Sequence, residues 1–199
     1  MNVKIKNSYV FHAGIWFDGK FYICEYSLNL SMLTNCTDPR EQNIALERMN
    51  HMIYSVFSNT VFVNDSDQER IDLLTAAGID VTPLPEQPVD QIVGIALLCK
   101  LNSVAESRLI VTDVEIASNQ GANIYYCHSI NDQAGPFARE GWWHDSGPGH
   151  RASMPTNNTV VALTDAQGWK PLDLDWKESS NQGSSNTVVF ADFHRDDRK

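Results

Sequence analysis

The stretch SYVFHAGIWFDGKFYICEYSL, residues 8–28, decides the centre of the fold because its pattern is that of a β-hairpin. Two segments rich in β-branched and aromatic residues flank Asp18-Gly19, a dipeptide that strongly favours a type I′ turn. A two-residue turn fixes the register of the strands, so Phe17 faces Lys20 and every other pair follows from it. The stretch therefore predicts two long antiparallel strands.

The same register places His12 opposite Glu25 on one face of the hairpin. Directly opposed residues have Cβ atoms about 5 Å apart, so the imidazole and the carboxylate are within reach of each other. We favour a structural histidine–carboxylate contact, with proton transfer in catalysis as the alternative. His12 and Glu25 are therefore the candidates for a catalytic pair.

Helix signals follow the hairpin. Asp38 as N-cap and Pro39 at the first helical position predict a helix start, and the apolar stripe that continues to Val56 predicts its buried face. Residues 59–84 then read as strand, capped helix and strand, a β-α-β unit whose two strands we expect to be parallel. A strongly apolar helix is predicted over about 89–105.

A second hairpin is predicted from residues 108–118 and 122–130, which flank the turn signal Asn119-Gln120-Gly121. Strict alternation along its first strand would place Leu109 and Val111 on the same face as Asp113 and Glu115. Three further strand candidates lie near the C-terminus, at 158–165, 170–176 and 186–193.

Together these elements predict an α+β fold. Antiparallel hairpins and C-terminal strands would form one or two sheets, packed against about three helices and one long ordered loop. We expect a single globular domain over residues 1–199, with a proline-rich seam at 83–88. The polar residues 194–199 are expected to fray.

The amino-acid composition of the chain disfavours some classes of function and favours others. The chain has 199 residues, of which 42 % are hydrophobic and 20 % are charged, as in a globular protein. Its net charge of −10 comes from only 15 Lys and Arg against 25 Asp and Glu. A scarcity of basic residues disfavours nucleic-acid binding. The acidic surface instead favours a basic protein partner, and it is also compatible with a homo-oligomer.

The chain has neither an apolar run long enough for a membrane span nor the pattern of a signal peptide, so we expect a soluble cytoplasmic protein. Its four cysteines are scattered without a C-x-x-C pair, which favours reduced, unreactive thiols. The short, acidic, asparagine-rich composition is typical of phage and accessory-genome proteins but identifies no relative.

Residues 131–158 form a long loop without secondary-structure periodicity, and they contain the unusual stretch GWWHDSGPGH at 141–150. Long loops inside compact domains are uncommon and are usually functional or disordered. The large apolar side chains in this loop favour an ordered one. One interpretation is structural, with the tryptophan pair closing the open end of a sheet.

A second interpretation makes the loop a binding surface, because tryptophan and arginine dominate binding hot spots. On this hypothesis the protein is not an enzyme and binds a macromolecular partner, with no cofactor, through residues 131–151. The candidate contact residues are Phe137, Arg139, Trp142, Trp143 and Arg151.

A third interpretation is a metal-dependent hydrolase of the phosphoesterase type. His144 and His150 would bind one divalent metal such as zinc, together with His128 or Asp145. A fourth is an anion cradle at residues 146–151, although no Walker-type lysine follows. Nucleophile elbows and dinucleotide fingerprints are absent from the sequence. Partner binding without catalysis is therefore the favoured prediction, and the metallohydrolase is the alternative.

Overall fold

The computed structural model describes residues 3–122, 124–149 and 168–176. They form an α+β fold in which three α-helices accompany one mixed six-stranded sheet of order β4-β3-β1-β2-β5-β6. The predicted strands at 158–165 and 186–193, the tail at 194–199, and residues His150 and Arg151 lie outside the described residues.

The predicted hairpin forms the centre of the sheet. Strands β1 (Lys4–Phe17) and β2 (Lys20–Thr34) pair along their full length in the expected register, with Phe17 opposite Lys20 and His12 opposite Glu25. Asp18 and Gly19 both have positive φ, as a type I′ turn requires. The register prediction is confirmed.

The β-α-β unit extends the sheet on one side of the hairpin. Strands β3 (Val61–Asn64) and β4 (Val81–Leu84) are parallel to each other and joined by helix α2 (Gln68–Ala76). Since β3 also pairs with β1 in parallel, the sheet is mixed, whereas the predicted sheets consisted of antiparallel hairpins and C-terminal strands.

The second hairpin extends the sheet on the other side. Strand β5 (Leu109–Ser118) pairs with β2, and the short strand β6 (Tyr126–Ser129) pairs with β5. A register shift opposite Ser31 and Met32 interrupts the alternation along β5. The strict alternation predicted for β5 is therefore wrong: its buried apolar residues are Leu109, Val111, Val114, Ile116 and Ala117.

Helices cover the two faces of the sheet unequally. Helix α1 (Pro39–His51), its π-helical continuation Met52–Phe57 and helix α3 (Asp90–Ala105) supply residues to the main core on one face. Helix α2 packs on the opposite face, where Leu74 joins Val61 and Val63 in a small second core. We call the face that carries α1 and α3 the inner face.

Residues 168–176 form an anchored segment, not the strand predicted at 170–176. Lys170–Leu172 is a 3-10 turn, and the buried guanidinium of Arg48 lies 3.8 Å from the Trp176 ring and 4.7 Å from the Trp169 ring. Arg48 also donates to the carbonyl of Leu174. The segment is thus held by cation–π and hydrogen-bond contacts to α1 and not by a strand ladder.

Among the described residues, no helix combines the length and the hydropathy that crossing a membrane would require.

Candidate functional site

A pocket lies on the inner face, between α3, β6 and the beginning of the long loop. Its volume is about 330 Å³, and we call it the α3–β6 pocket. Its lining combines an apolar floor with two imidazoles, a carboxylate and several neutral polar groups. The lining residues are Ile95, Leu98, Cys99, Asn102, Ser103, His128, Ser129, Ile130, Asp132, Gln133, Ala134 and His144.

One face of helix α3 supplies the floor of the α3–β6 pocket. The lining positions on α3 follow the spacing of a single helical face, with steps of three, one, three and one residues: Ile95, Leu98, Cys99, Asn102 and Ser103. The sequence predicts a strongly apolar helix here, and no residue of this face is among the predicted site residues. The run of cysteine, asparagine and serine at this spacing is the signal that could have found it.

His128 forms one wall of the pocket from strand β6. Its ring packs closely on helix α3, since a Cβ added at Gly94 would lie 2.9 Å from its Cδ2. Its Nε2 is buried without a hydrogen-bond partner. Burial lowers the pKa of His128, against the opposing effects of Asp132 and of the Gln91 carbonyl. The ring is therefore biased towards its neutral form.

His144 forms the facing wall from the 3-10 turn Trp142–His144. Its Nε2 lies 2.8 Å from the carbonyl oxygen of Phe137. A carbonyl can only accept, so Nε2 carries the hydrogen, and in the neutral ring Nδ1 is then an acceptor.

Asp132 adds a negative charge at the rim. Its carboxylate accepts a hydrogen bond from the Ser129 backbone at 2.7 Å, which fixes the turn after β6. An exposed carboxylate beside two imidazole acceptors favours ligand groups that donate hydrogen bonds or carry positive charge.

The pocket contains no activated nucleophile among the residues that line it. Burial raises the pKa of the Cys99 thiol to about 11, so this cysteine is protonated at neutral pH. The Ser103 hydroxyl has backbone carbonyls as partners, that of Trp143 at 2.8 Å and that of Cys99 at 3.0 Å. Neither side chain is prepared for covalent chemistry.

Lys100 holds the loop that carries His144. Its side chain is fully buried, and Nζ donates to the carbonyls of Asp145 at 2.7 Å, Gly147 at 3.1 Å and Trp142 at 3.2 Å. Burial lowers its pKa to about 8, and Asp145 opposes the shift. Lys100 is not among the site residues predicted from the sequence, because a lysine in an apolar helix gives no sign of what it contacts.

The aromatic side chains of the loop point into the protein. Phe137 is fully buried and Trp143 is 4 % exposed, with ring centroids 5.0 Å apart. Trp142 is partly buried and donates from Nε1 to the Pro83 carbonyl at 2.8 Å. This arrangement matches the structural interpretation of the loop. Contact of these rings with a partner stays a prediction.

Of the predicted binding residues that the structure describes, Arg139 is the exposed one. Its side chain is 56 % exposed and forms an ion pair with Asp65 at 2.7 Å, at the carboxyl end of β3. Asp67, which follows, accepts a hydrogen bond from the Arg70 backbone as the N-cap of α2.

The structure brings two of the four predicted metal ligands to one pocket, His128 and His144. Asp145 is not among the lining residues, and its carboxylate accepts from the Gly147 backbone. In the parts of the chain that the structure describes, no group of three or more His, Cys, Asp or Glu side chains could hold a metal. His150 lies outside those parts, so the metal site stays a prediction.

The predicted catalytic pair lies elsewhere. His12 and Glu25 are 3.0 Å apart, as the hairpin register predicts, but both are exposed on the outer face of the sheet. The α3–β6 pocket lies on the inner face, so the fold does not bring this pair to that pocket.

Comparison with known proteins assigns no family. No family model matches the chain, and no curated protein is significantly similar to it. Among solved structures, it is similar to uncharacterized protein WS1659 from Wolinella succinogenes, with 11 % identity over 66 % of this chain and 99 % of that one, at a TM-score of 0.48.

It is also similar to two 6-pyruvoyltetrahydropterin synthases. A catalytic-residue mutant of the Plasmodium vivax enzyme has 13 % identity over 65 % of this chain and 99 % of that one, at a TM-score of 0.41. The Plasmodium falciparum protein has 10 % identity over 64 % and 96 %, at a TM-score of 0.38. Similarities this weak transfer no activity to this chain.

Proposed function

We propose that the protein binds a small organic molecule in the α3–β6 pocket, with an apolar body and at least one hydrogen-bond donor. The observation that carries the proposal is a pocket of about 330 Å³ in which the imidazoles of His128 and His144 stand beside apolar side chains of α3. Ligand pockets commonly have volumes of about 300–1,000 Å³ and combine an apolar lining with a few polar groups.

The polar groups of the pocket define the ligand chemistry. His144 supports a donor on the ligand, because Nδ1 remains an acceptor while Nε2 is held by Phe137. Asp132 and the net charge of −10 disfavour an anion. The apolar side chains of Ile95 and Leu98 favour a hydrophobic body. A neutral or cationic ligand fits these features best.

The experiment is a screen of neutral and cationic fragments by ligand-observed NMR. Two variants test the location: His144→Ala removes one acceptor, and Ala134→Phe adds a ring where the small side chain lines the pocket. His12→Ala is the matched control, since it removes an exposed histidine from the opposite face of the sheet.

The proposal predicts that some fragments bind the wild-type protein and His12→Ala equally well. The same fragments should bind His144→Ala more weakly, and they should not bind Ala134→Phe. Losing one hydrogen bond of this kind weakens binding by about 0.5–1.5 kcal/mol. The proposal fails if no fragment binds, or if Ala134→Phe, still folded by circular dichroism, binds every fragment as the wild type does.

A divalent-metal site is the second candidate function, and the shared pocket of His128 and His144 is the observation that favours it. His150, which lies outside the described residues, would have to complete the ligand set of a metal-dependent hydrolase, because His128, His144 and Asp145 do not form a three-residue group that could hold a metal. Elemental analysis of protein purified without chelator tests this idea. About one equivalent of zinc that is lost in His144→Ala would support it, and metal-free protein would refute it.

Binding of a basic protein partner through residues 131–151 also stays a proposal. The negative net charge supports a basic partner, and Arg139 is exposed in this part of the chain. The burial of Phe137 and Trp143 favours a structural role for the two rings, so we rank ligand binding in the pocket first.

A further inference from the structure

A second pocket lies on the outer face of the sheet. It is lined by residues of β1 and β3, and strands β2 and β5 separate these two from β6, which lines the α3–β6 pocket. The volume of the second pocket is about 220 Å³, and it is formed where the β1–β2 turn meets the carboxyl end of β3 and the first turn of α2. Its charged and aromatic lining residues are Trp16, Asp18, Asp67 and Arg70.

Arg70 is held in this pocket by stacking on an aromatic ring. Its guanidinium carbon lies 4.0 Å from the centroid of the Trp16 ring. Stacking uses the flat face of the guanidinium and leaves its in-plane N–H groups directed at the surroundings. The Nε atom of Arg70 is buried without a hydrogen-bond partner, and the side chain has no ion pair to any described residue.

Arg70 occupies an electrostatically unfavourable position in helix α2. It lies in the first turn of α2, where the helix dipole opposes positive charge. A buried, unsatisfied guanidinium donor adds a further cost. Two carboxylates line the same pocket, yet Arg70 is paired with neither of them.

The charges around the pocket define the ligand. Arg70 offers a planar fork that matches a carboxylate, while Asp18 and Asp67 supply two negative charges. An anion alone would be repelled by the two aspartates, and a cation alone would leave Arg70 without a partner. A molecule that carries both charges close together complements the pocket.

We propose that this pocket binds a small zwitterion of the α-amino-acid class, with its carboxylate on Arg70 and its ammonium group beside Asp18 and Asp67. The ligand side chain would rest on Trp16 and Val63. A volume of about 220 Å³ suits a ligand smaller than drug-sized molecules, which usually occupy about 300–1,000 Å³.

Isothermal titration calorimetry with free L-amino acids tests the proposal, with acetate and methylamine as half-ligands. Arg70→Gln removes the charge and the fork, and Arg40→Gln is the matched control. Arg40 also lies in a first helical turn behind an aspartate N-cap, but it is exposed and lines neither pocket. Asp18→Asn removes one carboxylate, and asparagine is well suited to the type I′ turn.

We expect at least one amino acid to bind with a Kd below about 1 mM. Arg70→Gln should weaken this binding about tenfold or more, since hydrogen bonds to charged groups are involved. Arg40→Gln should leave it unchanged, Asp18→Asn should weaken it, and each half-ligand should bind more weakly than the amino acid.

The proposal is overturned if no amino acid shows saturable binding, if Arg70→Gln binds as tightly as the wild type, or if acetate binds as tightly as the amino acid. Circular dichroism establishes that each variant folds. If Arg70→Gln does not fold, Arg70→Lys tests the same point, because lysine keeps the charge but loses the planar fork.

Discussion

Lys100 Nζ lies 2.7 Å from the backbone carbonyl oxygen of Asp145, and this contact joins the middle of α3 to the loop that carries His144. Two further loop carbonyls, those of Trp142 and Gly147, accept from the same ammonium group. One buried charge therefore organises a loop that has no secondary-structure period of its own. The position of His144 in the wall of the α3–β6 pocket depends on this contact.

Lys100→Met tests that dependence. Methionine keeps the length of the side chain but leaves three carbonyls without their donor, so we expect the free energy of unfolding to fall by about 2–4 kcal/mol. Urea unfolding measures the change. Lys20→Met, which replaces an exposed lysine, should stay within about 0.5 kcal/mol of the wild type. Equal effects of the two substitutions would contradict the role given to Lys100.

The lowered pKa of Lys100 predicts a pH dependence with a definite sign. The native state releases this proton near pH 8, whereas the ordinary value of 10.5 applies to the unfolded chain. Between these values the unfolded state binds more protons, so the stability contributed by this group rises with pH. Below pH 8 the contribution is constant.

The difference in unfolding free energy between the wild type and Lys100→Met isolates this effect. Burial raises the pKa of other groups, among them Cys24 and Cys99, and these act in the opposite direction at high pH in both proteins. We expect the difference to grow from pH 8 to pH 10 in a urea series. A difference that shrinks or stays flat over this window would contradict the assignment.

Arg48→Met tests the anchoring of residues 168–176. The substitution removes two cation–π contacts and the hydrogen bond to Leu174, so we expect a loss of about 2–4 kcal/mol in the free energy of unfolding. Chymotrypsin should also cleave after Trp169 or Trp176 faster than in the wild type, as measured by mass spectrometry. Arg40→Met is the control, and unchanged cleavage in Arg48→Met would refute the anchoring.

The cysteines should differ in their reactivity towards iodoacetamide. Cys127 is exposed, whereas the pKa of Cys99 is raised to about 11 by burial although it lines a pocket. Because the thiolate is the reactive form, we expect Cys99 to react at least about tenfold more slowly near pH 7.5. Peptide mapping measures both rates. Equal labelling would contradict the raised pKa of Cys99.

The elements with strong local signals could be predicted from the sequence. Asp18-Gly19 fixed the register of the first hairpin because a type I′ turn admits only one pairing, and the pairing of His12 with Glu25 followed from it. The helix start at Asp38 and Pro39 was predictable for the same reason, since the capping chemistry is local.

Features that depend on distant partners could not be predicted. The register shift at Ser31 and Met32 has no local signal, and it moves Asp113 and Glu115 off the face that Leu109 and Val111 occupy. His51 is another example. Helical periodicity places it on the polar face of α1, but its ring lies 5.7 Å from that of Trp169, and burial lowers its pKa.

The candidate site was predictable only in part. His128 and His144 were singled out as chemically interesting residues, and they do line the same pocket. Their juxtaposition depends on β6 and the loop meeting on α3, which no spacing in the sequence encodes. Lys100, which fixes the loop, and Asp132, at the rim, acquire their roles only through tertiary contacts.

The most direct test of the central proposal is an NMR titration of the histidine side chains with the tightest fragment from the screen. If the α3–β6 pocket is the binding site, the imidazole resonances of His128 and His144 shift together and saturate with the ligand, while those of His12 on the outer face stay unchanged. Saturable binding that leaves both His128 and His144 unperturbed would contradict the account.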